Sequence, residues 1–283
     1  MNFKTFLSII LIVNISIAAR IGYPFGTGNN SYHQIDCPDI MLKDIACGGK
    51  HSVGITRSGK LIAWGYNRFG QTNCPSGNGF SIVTAGANHS VAIKNGVPVA
   101  WGDNRMKQLN CPPISNLVAV SSRLNFTVGL TRDGSIVAWG DNICQQLSVP
   151  KGDGYRAVAA GGLHAVAIKH NGSLIAWGDG EGNKTNCPPG NNYVAVAAGL
   201  EHSLALKKDG SIVGWGLNNF GQLNCPSGNN FIAIAAGEFH SLALKGDGSV
   251  VAWGFNRNKR TALPPGKNYF KIAAGEMHNL FLK

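Results

Sequence analysis

The stretch VAVAAGLEHSLALKKDGSIVGWGLNNFGQLNCPSG, residues 194–228, decides the fold because it is one turn of a repeat. Its Trp-Gly marker recurs at Trp64, Trp101, Trp139, Trp177, Trp215 and Trp253, spaced by 37 residues once and by 38 four times. A histidine keeps the same beat at His51, His89, His164, His202, His240 and His278, with Phe126 where a seventh is due. Self-similarity at a fixed period of roughly 20 to 50 residues marks solenoids, propellers and arrays.

Each repeat reads as three short strands. In the quoted copy they are 194–198, 203–207 and 211–215, apolar runs bounded by turn residues. Lys208-Asp209-Gly210 joins the second to the third, and Asp-Gly predicts a two-residue hairpin with both central residues at positive φ. The same chemistry returns at Asp133-Gly134, Asp247-Gly248, Asn95-Gly96 and Asn171-Gly172, with Ser58-Gly59 the weak copy. Runs that are apolar on both faces predict sheets buried on both sides. Alternation assigns Val194, Val196, Leu204 and Leu206 to one face and Ala195, Ala197 and Ala205 to the other.

The two ends choose ring over rod. Residues 20–38 supply the second half of a repeat, with Gly28 in register with Gly216 and Cys37-Pro38 with Cys225-Pro226. Lys271 to Lys283 supplies the first half and stops. The half-copies together complete a seventh unit, whereas a rod calls for polar caps at its ends. The expected fold is all-β, a seven-bladed propeller over residues 20–283 with three to four strands per blade, and sharing one blade between the termini removes exposed strand edges.

The pattern AAGxxHSLALKxDGSxVxWGxNxxGQLxxP, carried at Ala235–Trp253 and Ala197–Pro226, resembles the repeat of the regulator of chromosome condensation superfamily. Within it, the short repeat and the apolar N-terminus are closest in style to the secreted propeller-type β-lactamase inhibitory proteins. That resemblance implies a non-enzymatic, protein-binding propeller, an inhibitor of another exported protein being one version of it. The nuclear relatives imply a third role, regulation of a small GTPase, which an exported chain could not perform.

Residues 1–19 read as a cleaved signal peptide, with Lys4 in the n-region, Phe6 to Ile17 as the apolar stretch and Ala18-Ala19 near the cut. The rival, a membrane anchor, is short of the roughly 20 apolar residues a span requires. A secreted or periplasmic location is therefore expected, with no later membrane span and a monomeric state. The net charge of +11 favours a partner with an acidic surface, and nucleic acid is not expected for an exported chain.

Strand alternation puts the Ala-Gly-x-x-His loop and the loop after Trp-Gly on one face and the Asp-Gly hairpins on the other. Binding residues gather on such loops. The candidates are Tyr32, His33, Tyr66, Arg68, Phe69, Arg105, Met106, Lys107, Arg123, Phe220, Arg257, Lys259 and Arg260. They form a basic, aromatic-edged sector opposite an acidic arc of Asp179, Glu181, Glu201 and Glu238. In general the loops carry mainly Asn, Arg and Lys.

The six histidines are expected to make a recurrent hydrogen bond that holds the loop, not to ring a metal, and the six tryptophans to anchor the core. Thr27 stands where a seventh tryptophan is due, so the shared blade is expected to be the weakest. Five of seven cysteines, Cys37, Cys74, Cys111, Cys187 and Cys225, hold one repeat position that Val149 and Leu263 fill elsewhere, which predicts small buried apolar sites with free thiols. Cys47 reads the same way, and Cys144, in a variable loop, is the candidate reactive thiol.

No nucleophile elbow, HExxH or phosphate loop is present, no cofactor or catalytic residue is assigned, and Asp179 and Glu181 read as solvated. The alternative to a protein binder is a lectin-like propeller with a small glycan site in each blade. A lectin would repeat its site residues, and these loops vary.

Overall fold

The computed structural model describes residues 20–283, and the expected signal segment, residues 1–19, lies outside the described residues. Seven antiparallel sheets of three strands each make the fold. Six are continuous in sequence, blades one to six at 42–65, 80–102, 117–140, 155–178, 193–216 and 231–254. The seventh pairs Pro24–Gly28 with His278–Leu282, which in turn pairs with Lys271–Ala274. The chain thus closes by the shared blade that the two half-repeats require, with three strands rather than four.

The first strand of each blade packs on the first strand of the next, and Lys271–Ala274 meets Leu42–Cys47 to complete the circle. These inner strands line the axis, and the Trp-Gly strands lie outermost. Neighbouring sheets bury their facing side chains in seven apolar clusters.

The assignment of faces needs correction. Register pairs Val196 with Ala205, and Ala195 and Ala197 with Leu206 and Leu204, after a bulge between Tyr193 and Ala195. Cross-strand partners share a face. Each face therefore mixes sizes: Leu204, Leu206 and Ala195 pack towards blade six, while Ala205, Val196, Tyr193 and Trp215 pack on Val166 and Ile168 of blade four.

The hairpins also differ from expectation. In blade five only Gly210 has positive φ (84°), and Lys207 N–H donates to Ser211 O at 2.9 Å. This is a three-residue loop ending in a left-handed glycine, a geometry that Asp-Gly serves as readily as the two-residue turn. Asp209 Oδ1 stabilises it by accepting from the Ser211 N–H at 2.9 Å and hydroxyl at 2.7 Å. Blade two alone shows both residues at positive φ, Asn95 at 52° and Gly96 at 80°, with Lys94 paired directly to Val97. That one missing residue is the reason Trp64 and Trp101 stand 37 apart instead of 38.

Candidate binding face and axial mouth

The residue after each Trp-Gly donates its backbone N–H to the residue just before the histidine position, as Tyr66 does to Lys50 O (2.9 Å) and Leu217 to Glu201 O (2.8 Å). Both variable loops therefore sit on one face, here the loop face, with the hairpins opposite.

The histidines are buried, and their bond runs to the neighbouring blade and not to their own loop. His278 Nε2 meets Ser52 Oγ at 2.9 Å, and Ser52 Oγ–H donates onward to Gln34 O at 2.8 Å. The hydroxyl proton is thus committed to the carbonyl, so the histidine must donate from Nε2. His51–Ser90, His164–Ser203 and His202–Ser241 repeat the contact at 2.8–3.0 Å, and His89 uses Thr127 at 3.2 Å. Burial pulls these imidazoles down to about 3 or 4, so they are neutral donors. Among the described residues no cluster of His, Cys, Asp or Glu has the arrangement to hold a metal.

A repeat residue not singled out in the sequence completes this joint. Gln34, Gln71, Gln108, Gln146 and Gln222 are buried, and each side-chain oxygen accepts the N–H two residues earlier. The backbone oxygens of Gln71, Gln108, Gln146 and Gln222 receive the indole N–H of Trp101, Trp139, Trp177 and Trp253 at 2.9–3.1 Å. The period would have found them, since these glutamines keep the tryptophan beat. In the shared blade Thr27 has no indole, and Asn279 takes its place: Nδ2 donates to Arg260 O at 2.6 Å while Oδ1 accepts His240 Nε2 at 2.6 Å. Hydrogen bonding is therefore conserved at the blade expected to be weakest.

At two blades the glutamine position holds a cation, and this dismantles the acidic arc. Lys184 Nζ lies 2.6 Å from both Asp179 and Glu201 and is 3% exposed. Arg260 pairs with Glu238 at 3.0 Å and is itself buried, so it is not on the binding surface. Of the four acids only Glu181 is left without an ion pair among the described residues. Arg123 is buried as well. His33 is exposed and paired with Asp36, and the Arg105 guanidinium is paired with Asp103 at 2.7 Å. Arg68, Lys107, Arg257 and Lys259 are exposed.

Two aromatic clusters stand on the loop face. Tyr32, Tyr66 and Phe69 meet edge to face at 4.9 and 6.3 Å between centroids. Lys50 stacks over Tyr32 at 4.8 Å and Arg105 over Phe69 at 4.5 Å. An open cavity of about 290 Å³ lies beside them, lined by Lys50, Tyr66, Phe69, Asn88 and Glu276. On the loops of blades five and six Phe220, Phe239 and Phe255 form the second cluster, with centroids 4.4 to 6.3 Å apart. The loops are thus less purely Asn, Arg and Lys than their composition suggests, because residues from two loop sets converge. Met106 and Ile143, 47% and 73% exposed, add apolar surface between the clusters.

The repeat cysteines are half-buried rather than buried, and Leu263 at the same position is 50% exposed. All seven cysteines are free, and burial pushes the Cys74, Cys111, Cys187 and Cys225 thiols up to about 11 and Cys37 to about 12.

These features define a seven-bladed propeller with one variable, aromatic-bearing loop face. The chain carries the regulator of chromosome condensation repeat, which matches at residues 42–71, 193–222 and 231–259. No curated protein matches it in sequence. Among solved structures it is similar to Prp20p of Saccharomyces cerevisiae, described with its binding to Gsp1p and histones, at 18% identity and TM-score 0.79, over 94% of this chain and 92% of that one. Human WBSCR16 is similar at 17% identity and TM-score 0.72, covering 87% of each chain. The ectodomain of the Arabidopsis thaliana receptor kinase ACR4 follows at 21% identity and TM-score 0.68, over 83% of this chain and 90% of that one. At these identities the likeness is one of fold. Among the described residues no helix is long and apolar enough to cross a membrane.

Proposed function

We propose that the chain is an exported, non-enzymatic protein-binding module that docks one asymmetric partner on its loop face. The observation that carries this is the pair of aromatic clusters, Tyr32–Tyr66–Phe69 with the exposed Arg105 stacked on Phe69, and Phe220–Phe239–Phe255 resting on the buried Arg260. Clustered aromatics with arginine are the side chains that dominate protein interfaces. One repeat position reads Tyr32, Phe69, Met106, Cys144, Gly182, Phe220 and Asn258 round the ring. A per-blade glycan site would repeat its residues, so the variation favours a protein over a carbohydrate.

Exposed Arg68, Lys107, Arg257 and Lys259, with the net charge of +11, support an acidic partner surface. The N-terminal signal reading supports export, and the use of this fold in a receptor ectodomain is compatible with it. Inhibition of the partner remains the finer form of this proposal. The same fold in Prp20p serves binding to Gsp1p and histones, which is compatible with a protein ligand.

Capture on immobilised chain from the fraction surrounding the producing cells tests the reading. One stoichiometric protein is expected, lost with Y66A/F69A or F220A/F255A and retained with a hairpin-face control such as K208A. A glycan array with strong hits and no captured protein would replace it with the lectin reading.

A further inference from the structure

At one place in the ring three substitutions in two blades go together. The residue three before each histidine is Gly48, Gly86, Gly161, Gly199, Gly237 or Gly275, and a Cβ added at the first five would collide with the imidazole. Blade three has Arg123 there, and the histidine is accordingly Phe126. The hydroxyl that a histidine would reach in blade four is accordingly Ala165. The backbone bonds that link neighbouring loops round the axial mouth, such as Gly49 N to Ala87 O, Ala87 N to Leu124 O and Glu276 N to Gly48 O, have no counterpart between blades three and four among the described residues.

What replaces the joint is a guanidinium in the axis. Arg123 is 6% exposed and crosses the channel to blade six, where Nη1 donates to Ala236 O at 3.5 Å. Nε and Nη2 have no acceptor among the described residues. Those two atoms form the side-on edge of the guanidinium, two parallel N–H donors spaced for the two oxygens of one carboxylate. Burial lowers the Arg123 pKa, and the charges of Glu276 in the shared blade and Glu238 in blade six act through space in the opposite direction. Glu238 is committed to Arg260, and Glu276 makes no ion pair among the described residues. A buried donor pair left unmatched is costly, and the full set of Arg123, Phe126 and Ala165 is arranged around keeping it there.

We propose that the axial mouth is a carboxylate-binding site in which the Nε–Nη2 edge of Arg123 grips one carboxylate side-on. The shared chemistry is a single carboxylate, supplied free by a small organic acid or presented by an acidic side chain of a bound protein. For the free acid the site is independent of the loop-face reading.

The test is the thermal unfolding midpoint of the intact chain titrated with sodium acetate, and separately with an N-acetylated, C-amidated Ala-Glu-Ala peptide, at constant ionic strength and pH 7.5. Wild type is expected to show a saturating rise of about 2–4 °C with at least one probe. Response to acetate assigns the free acid, and response to the peptide alone assigns a presented side chain. The variant R123G/F126H/A165S restores the joint found in the other blades, is expected to fold, and should lose the response. R123K keeps the charge without the fork and should bind at least tenfold more weakly. An equal response of wild type and the triple variant overturns the proposal, as does no response to either probe. Response that emerges only in E276Q also overturns it, since Glu276 would then be the internal occupant.

Discussion

Six joints of this ring and the seventh solve the same problem differently. At six interfaces a buried histidine reaches a hydroxyl or amide of the next blade. Between blades three and four the aromatic ring of Phe126 and the methyl of Ala165 take those positions, both fully buried. Removing both partners of a buried hydrogen bond together costs little, whereas removing one leaves the other unsatisfied. The seventh joint is therefore a matched exchange and not a defect, and it frees the glycine position for a side chain that enters the axis.

Acid should separate the two kinds of joint most strongly. An unfolded histidine takes its proton near 6.5, while burial holds the six folded ones at about 3 or 4. Their depressed values mean that stability is fully present above pH 6.5 and is lost as pH falls from there through about 4 for His89 and His240 and about 3 for the other four. Each contributes a slope of about 1.4 kcal/mol per pH unit in that window. Urea unfolding at pH 7.5, 6.0 and 5.0 should show a collapse well before the carboxylates titrate; a flat profile across that range would contradict neutral buried histidines.

Breaking one partner of a standard joint comes next. Gly161→Ala is expected to cost about 3 kcal/mol, because the new methyl meets the His164 imidazole, and G161A/H164F/S203A should recover much of it by copying the exchange seen at blade three. If the single and triple variants are equally unstable, the coupling of glycine, histidine and hydroxyl is wrong. Asn279→Ala should cost about 2 kcal/mol by orphaning His240 and Arg260 O together, and calorimetry can read it. The smallest effect on stability belongs to the loop face: R68E/R257E should change it by less than about 0.5 kcal/mol while weakening partner binding, with the loss diminishing at high salt.

The ring was readable because a fixed period survives averaging over seven copies, and the Trp and His beats and the split blade all follow from it. Where the copies disagree, reading them one by one misleads. Phe126 stands out as a missing histidine, yet its counterpart Ala165 lies a blade away in space and 39 residues away in sequence, and nothing local links them. Arg123 and Arg260 look like exposed loop cations. Three-dimensional packing shows that one is buried facing the axis and the other is buried beneath Asn279 and paired with Glu238. The hairpins went astray because Asp-Gly fits two turn types, although the shorter spacing before Trp101 already carried the distinction.

The shared blade also sets an order in time. His278–Leu282 is its middle strand, held between Pro24–Gly28 near one end of the chain and Lys271–Ala274 near the other. During synthesis from the N-terminus, blades one to six can each pair internally as they emerge, but the strand at 24–28 must wait with its edge unpaired until His278–Leu282 is made. Until then the molecule is an open arc with two sticky edges. Deleting the final five residues should therefore leave six formed sheets that cannot close, a species prone to join its ends to those of another copy.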